Sequence, residues 1–203
     1  MRPTSYISVR AAQNFGHGIR YARDINRPFN TAVTINFSQL GFDDAEAGKI
    51  SAKLIQRVRQ WWWNKKKKCS SEIDRKFIHG IVHENPGSVR NCHWILNIPS
   101  DDQDVFRSTV LNRLSKLTGV EAFGDAVQFQ PIYNASGFEK YLLKGIDPKY
   151  GKFMHISPKD QGVVLGKRIG MSRAVGRTAR RSAKWDRKAS AARARSEALS
   201  ASL

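Results

Sequence analysis

The sequence predicts an α+β fold: a split β-α-β antiparallel sheet with helices on one face, followed by a basic tail. Strand-like alternation and helix-like spacing of apolar residues follow one another in the order strand, helix, strand, strand, helix, strand, helix. After about residue 150 this periodicity fades, and arginine, alanine, serine and glycine take over. We therefore predict a basic N-terminal arm over residues 1–28, a domain over 29–150, and a flexible or helical basic tail over 151–203.

The first predicted strand covers residues 29–37, which are rich in threonine, valine and isoleucine and alternate with period two. Thr34 and Asn36 belong to its face of small polar side chains. That face either contacts a nucleic-acid backbone or faces a covering helix or solvent, and both interpretations stay open. The arginine-containing residues before this strand are expected to form an irregular arm.

Asp43 and Asp44 open the first predicted helix, since acidic residues suit the positive end of a helix. Its apolar stripe recurs at helical spacing and consists of Ile50, Leu54, Val58 and Trp61. Three consecutive tryptophans near its end cannot share one face, so at least one of them is expected to be exposed. We interpret the tryptophans as packing at the core edge. The lysines that follow are predicted nucleic-acid contacts: Lys65, Lys66, Lys67 and Lys68.

Two further strands, over residues 75–84 and 91–98, flank a turn centred on Pro-Gly. An antiparallel hairpin brings Glu84, at the end of one strand, close to His93 on the other. A carboxylate and an imidazole held on a rigid sheet can bind a divalent metal. The alternative is a solvated or singly hydrogen-bonded pair. His83 precedes Glu84 and is expected to point to the opposite face.

The remaining elements complete the predicted domain. Asp102 caps a second helix, Gly119 ends it, and a strand over residues 126–133 follows. The apolar stripe of this helix, expected to face the sheet, contains Val105, Phe106, Val110, Leu114 and Leu117. A short third helix is predicted over residues 138–145, with Gly145 as its end.

Charge points to a polyanionic partner, because the formal net charge is +18 over 203 residues. The tail residues predicted to bind phosphates are Lys167, Arg168, Arg173, Arg177, Arg180 and Arg181; a solubilising tail is the alternative. The sequence contains no apolar run long enough to span a membrane, so no membrane partner is expected. With no secretory signal and two cysteines, a cytoplasmic location is predicted.

The segment Phe138-Glu-Lys-Tyr-Leu-Leu-Lys144 completes a set of motifs that resembles the HUH-type replication initiators and relaxases. These are single-strand endonucleases of rolling-circle plasmids, phages and small DNA viruses, built on an RRM-like split β-α-β sheet. The resemblance covers residues 29–147. Its first motif is the threonine-rich strand, its second the Asn91-Cys92-His93 strand with Glu84 on the neighbouring strand, and its third Tyr141-Leu-Leu-Lys144.

The resemblance implies a metal-dependent nicking and joining reaction. Tyr141 would be the nucleophile, Lys144 would stabilise negative charge, and Glu84, His93 and Asn91 would hold Mg²⁺ or Mn²⁺. This chain departs from the family at Asn91, which stands where the first histidine of the motif is expected. An amide oxygen suits a hard cation, but the same substitution can mark a site that has lost activity. Tyr133 lacks the lysine spacing and ranks below Tyr141 as nucleophile.

Three functions are compatible with these residues. The first is a replication initiator acting on single-stranded or origin DNA; without a phosphate-binding Gly-x-x-x-x-Gly-Lys-Ser/Thr loop in the sequence, unwinding would come from a host helicase. The second is a catalytically inactive DNA- or RNA-binding protein of the same fold. The third is a ribosome- or RNA-associated basic protein, which explains the charge and leaves the motif residues as coincidence.

Overall fold

A five-stranded antiparallel sheet forms the centre of the computed structural model, which describes residues 2–121 and 123–200. Met1, Ala122 and residues 201–203, including the ends of the predicted arm and tail, lie outside the described residues. The strands are β1 Pro3–Thr4, β2 Thr31–Asn36, β3 His79–Glu84, β4 Asn91–Leu96, β5 Val127–Pro131, β6 Val164–Leu165 and β7 Ile169–Met171. The central sheet has the order β5-β2-β4-β3-β7, and β1 pairs with β6 in a separate two-stranded sheet.

Eight α-helices surround the sheet in the described part of the chain. They are α1 Val9–Asp24, α2 Asp44–Lys66, α3 Glu72–Arg75, α4 Gln103–Thr118, α5 Ala135–Leu142, α6 Gly151–Met154, α7 Arg177–Ser182 and α8 Arg187–Ser200. A 3₁₀ turn, Leu143–Gly145, continues α5. The α+β class and the seven elements predicted from periodicity between residues 29 and 145 are confirmed, with ends that differ by a few residues.

Helices α2 and α4 cover one face of the sheet. Asp43 caps α2 in a capping box with Glu46, which explains where this helix begins. Its buried stripe ends on Trp62, whereas the predicted Trp61 is partly buried and Trp63 is 52% exposed. One tryptophan of the three therefore faces solvent, as the helical period requires. Phe106, which is fully buried, anchors α4 on the same face.

Helix α1 packs on the other face, so the prediction of helices on one face is wrong. Its buried residues, Ala12, Phe15, Ile19 and Ala22, join a second core with Val82 and Ile95 of the sheet. The predicted irregular arm is thus largely a packed helix that begins at its cap, Ser8. Arginines interrupt the apolar spacing of this segment, and the stripe becomes clear only when the sheet surface opposite it is known.

The segment predicted as a tail contributes to the sheet. Strand β7 pairs with β3, so that Ile169 lies opposite Val82, and helices α7 and α8 follow. The helical part of the prediction agrees with the structure, but the strands were missed. Strands of two and three residues are too short to produce a readable alternation.

Candidate active site

Strands β3 and β4 bring Glu84 and His93 into contact. Their register places Glu84 opposite Asn91 and Val82 opposite His93. The polar side chains of Glu84, Asn91 and His93 therefore share one face of the sheet. His93 Nε2 lies 3.2 Å from Glu84 Oε2. The turn between the strands contains Gly87 at φ 55°, a left-handed conformation that glycine adopts without strain.

Helix α5 and the turn after it bring Tyr141 and Lys144 to the same place. Lys144 Nζ lies 3.1 Å from Glu84 Oε2 and 3.9 Å from the centre of the Tyr141 ring. The Tyr141 ring meets His93 edge-on, with centroids 5.7 Å apart. Tyr141 is 47% exposed, so this residue is accessible to a ligand from solvent.

Thr34 supports His93 from the neighbouring strand β2. The two residues are register partners, and Thr34 Oγ1 lies 3.1 Å from His93 Nδ1. A hydroxyl both donates and accepts, so Thr34 can hold either neutral tautomer of the imidazole and leave Nε2 directed at Glu84. The structure thus places Thr34, predicted as a DNA contact, in contact with the imidazole.

Opposing effects act on the Glu84 carboxyl, which is 3% exposed. Burial raises its pKa, but hydrogen bonds and charge from His93 and Lys144 outweigh burial and hold the pKa below its usual value. Glu84 is therefore ionised at neutral pH. Its second oxygen, Oε1, is buried and has no hydrogen-bond partner among the described residues.

These groups line an open polar cavity of about 430 Å³. All of the motif residues singled out in the sequence line it: Thr34, Asn36, Glu84, Asn91, His93, Tyr141 and Lys144. Helix α1 covers Val82 and Ile95 on this face but contributes no lining residue to the cavity. The polar end of the face therefore stays open to solvent.

No protein-family model matches the chain, and no curated protein is significantly similar to it in sequence. Within residues 2–121 and 123–200, no helix is long and apolar enough to cross a membrane. The contacts among Glu84, His93, Tyr141 and Lys144 therefore carry the functional inference.

Sequence reasoning missed several lining residues. Gln128 of β5 lies opposite Thr34 and extends the polar surface, and Asp125 and Gln161 line the cavity from other segments. The alternation of the predicted strand over residues 126–133 already separated Gln128 from the apolar face, so that signal was available. Gln161 lies in a segment without periodicity and could not have been found in this way.

A metal ion fits part of this donor set. A divalent cation uses ligands such as Glu84 Oε1, which has no hydrogen-bond partner among the described residues, and His93 Nε2, which lies 3.2 Å from Glu84 Oε2. Asn91 donates from Nδ2 to Val89 O at 3.3 Å, which leaves its Oδ1 as the available ligand. The described residues contain no group of three or more His, Cys, Asp or Glu that could hold a metal, so Asn91 would have to supply the third ligand.

The predicted DNA-contacting cations divide into buried and exposed groups. Arg168 and Arg180 are 2% and 6% exposed and donate to backbone carbonyls, for example from Arg168 Nη2 to Thr4 O at 2.9 Å. Arg168 and Arg180 therefore hold the C-terminal segment in place, and the prediction that they contact DNA is wrong. Lys65 and Lys66 pair with Asp102 at 3.1 and 2.5 Å. The remaining cations of the prediction are exposed: Lys67, Lys68, Lys167, Arg173, Arg177 and Arg181.

Helix α5 is held against α1 by Glu139, whose carboxylate lies over Gly16 and pairs with Arg20 at 3.7 Å. A Cβ at position 16 would lie 2.1 Å from Glu139 Oε1, whereas one at position 18 would meet the flexible end of Met171 at 2.9 Å. Alanine is favoured over glycine inside a helix by about 1 kcal/mol, which applies to both positions. Because Gly16→Ala also displaces the Glu139 carboxylate from Arg20, we expect its free energy of unfolding to be about 1 kcal/mol below that of Gly18→Ala.

Gly18→Ala is the matched control, because it adds the same methyl group to the same helix. It should cost less than Gly16→Ala, since the Met171 side chain can move. Urea denaturation measures both values. Equal losses would show that glycine at position 16 is not needed for the docking of α5.

His83 lies outside the cavity lining, and its strand partner, Cys92, is part of the α2–α4 core. Burial, with the charges of Arg90, His93 and Arg168, lowers the pKa of His83 to about 3. Its Nδ1 has no hydrogen-bond partner within the described ranges. His83 is thus a neutral core residue.

This shift makes stability depend on pH. A lowered folded-state pKa means that the unfolded chain binds the proton first, so stability is lost as pH falls from the ordinary histidine pKa of about 6.5 toward about 3. His83→Phe should reduce that loss, as measured by urea denaturation across this range. His155→Asn, at an exposed position, is the control for the loss of a histidine. A His83→Phe curve parallel to wild type would contradict the assignment.

Proposed function

We propose that the chain is a replication initiator that nicks and joins single-stranded DNA through a phosphotyrosine intermediate, using a divalent metal. The observation that carries this proposal is the convergence of Tyr141, Lys144 and the Glu84–His93 pair in one open cavity. These side chains come from three separate segments of the chain. Tyrosine, lysine and a carboxylate–imidazole pair belong to the site that the resemblance to HUH-type endonucleases implies, and Asn91 stands where that site has its other histidine.

The arrangement of the sheet supports the same proposal. Strands β5-β2-β4-β3 are all antiparallel, and α2 and α4 connect them on one face. This order agrees with the RRM-like split β-α-β sheet that the resemblance implies. Helix α1 and strand β7 are additions to that core, and they flank the cavity without entering it.

Glu84, His93 and Asn91 would hold Mg²⁺ or Mn²⁺ at the sheet. When bound, such a cation supplies Lewis-acid polarisation of the scissile phosphate. Thr34 keeps the His93 ring in place, and the lowered pKa of Glu84 keeps its carboxylate ionised at neutral pH. Lys144 and His93 both contact Glu84 Oε2, and Oε1 has no hydrogen-bond partner among the described residues.

Tyr141 performs the covalent step. The phenol proton passes to water as the phenolic oxygen attacks phosphorus; the phosphorus–O3′ bond breaks, O3′ takes a proton from water, and a 5′-phosphotyrosine and a free 3′-hydroxyl result. Lys144 lies close to the Tyr141 ring, where its ammonium group stabilises the charge that develops on the phenolate and the phosphate oxygens. Attack by a 3′-hydroxyl on the phosphotyrosine reverses the step and rejoins the strand.

A second function is favoured by a specific observation. Asn91 stands where the resemblance expects an imidazole, and Lys144 neutralises part of the negative charge of Glu84. Both features favour a catalytically inactive DNA- or RNA-binding protein. In that case the cavity would recognise a nucleic-acid segment without cleaving it.

Covalent trapping distinguishes the two functions. The protein is incubated with a pool of single-stranded oligonucleotides and Mn²⁺, with and without chelator, and analysed on a denaturing gel. A nuclease yields a metal-dependent adduct, and sequencing the attached strand identifies the site. Salt-sensitive binding without any adduct, including on single-stranded DNA from the replicon that encodes the protein, would favour the binding protein.

A further inference from the structure

A second depression, which we call the basic groove, lies between α1, β7 and α7 and encloses about 800 Å³. Its strongly basic lining includes Arg10, Lys167, Arg177 and Arg181, and no acidic side chain is among the described residues that line it. It shares no lining residue with the candidate active site. The groove is therefore a depression separate from the candidate active site.

The four cations are free to bind a ligand. All are exposed, and none has a salt-bridge partner within residues 2–121 and 123–200. By contrast, exposed Lys76 and Lys149 are each paired with a carboxylate. Unpaired cations on several sides of one depression create a positive field that attracts a phosphate chain.

The walls of the groove are held in position before any ligand binds. Arg180, buried beneath it, donates from Nη2 to Asn14 Oδ1 of α1 at 2.6 Å and from Nη1 to Val175 O at 2.6 Å. This guanidinium joins α7 to α1. Burial, with the charges of Arg20, Arg180 and Arg187, lowers the pKa of His17 in the lining to about 4, in keeping with a positive field there.

Strand register connects the groove with the active site. Ile169 of β7 lies opposite Val82, and His83 N donates to Arg168 O at 2.7 Å. Beyond that bond the β3–β7 pairing ends, because Asn85 N donates to Gln161 O at 2.8 Å, and Gln161 lines the candidate active site. Strand β3 therefore runs beside β7, which lines the groove, and β3 ends at Glu84 in the candidate active site.

We propose that the basic groove binds the sugar–phosphate backbone of the DNA strand where it extends beyond the candidate active site. The identification of the ligand as the DNA strand held in the candidate active site rests on the proposed function. Arg10, Lys167, Arg177 and Arg181 contact its phosphates. Contacts to the backbone give affinity and position without sequence preference.

Binding measurements in chelator test the groove without any cleavage. The groove variant is Arg10→Gln/Lys167→Gln/Arg177→Gln in the full chain. The matched control, Lys49→Gln/Lys53→Gln/Arg57→Gln, removes the same charge from exposed positions on α2. Fluorescence anisotropy is measured with labelled single-stranded DNA of about 20 nucleotides and of about six nucleotides, the shorter one spanning little beyond the active site.

The groove variant should bind the longer DNA about tenfold more weakly, and its salt dependence should fall by about two units of slope for three lost phosphate contacts. Its affinity for the short DNA, and the control's affinity for both, should change much less. Equal weakening by both variants, or an unchanged groove variant, would overturn the proposal. Binding of both variants to vesicles containing anionic lipid is measured as well. If the groove substitutions weakened binding to these vesicles but not to DNA, the proposal would also be overturned. If the groove variant bound the longer DNA more weakly but no covalent adduct was ever found, the groove would still be a DNA-binding surface and only the proposed nuclease activity would be contradicted.

Discussion

Tyr141→Phe is expected to abolish the covalent protein–DNA adduct, with a loss of at least about 10³-fold, because it removes the attacking oxygen. The aromatic ring remains, so its edge-on contact with His93 and the position of Lys144 over it are kept. Folding and DNA affinity should therefore change little. The measurement is the rate of adduct formation on a denaturing gel with Mn²⁺ and a cleavable oligonucleotide.

Tyr133→Phe is the matched control for this substitution. Tyr133 is 93% exposed and does not line the cavity, so the variant should form the adduct at the wild-type rate. The assignment of the nucleophile would be wrong if Tyr141→Phe formed the adduct normally while Tyr133→Phe did not.

Glu84→Gln is expected to lower the rate of adduct formation by about 10²-fold or more and to shift its dependence on Mn²⁺ to higher concentration. The substitution keeps the volume but removes the ionised oxygen that a cation needs and the charge that holds Lys144 beside Tyr141. The measurement is the adduct rate as a function of Mn²⁺ concentration, together with direct Mn²⁺ binding by calorimetry.

Glu139→Gln controls for the loss of a carboxylate on the same face of the sheet. Glu139 contacts Arg20 and is not part of the cavity lining, so its variant should keep the wild-type dependence on Mn²⁺. Identical metal dependence in Glu84→Gln and wild type would show that Glu84 is not a ligand. Loss of Mn²⁺ binding in Glu139→Gln alone would move the metal site elsewhere.

Local patterns in the sequence were sufficient for the central sheet and most of the candidate site. Period-two alternation located β2 and β5, and helical spacing located α2 and α4. Two strands joined by a Pro-Gly turn predicted a hairpin, and the observed pairing brings Glu84 and His93 into contact as predicted. These features depend on interactions between neighbours in sequence, which composition and spacing record directly.

Packing between distant segments decided the rest. The sequence of α1 looked polar, and its apolar stripe could be recognised only once the structure showed it packed against Val82 and Ile95 of the sheet. Arg168 and Arg180 resembled their exposed neighbours in composition, yet burial made them structural. Thr34 became the partner of His93 through pairing across 59 residues of chain. The sequence by itself determined which residues are candidates for the site and which strands and helix hold them. Only the tertiary structure decided which cations are free to bind, because exposure depends on contacts between residues far apart in the chain.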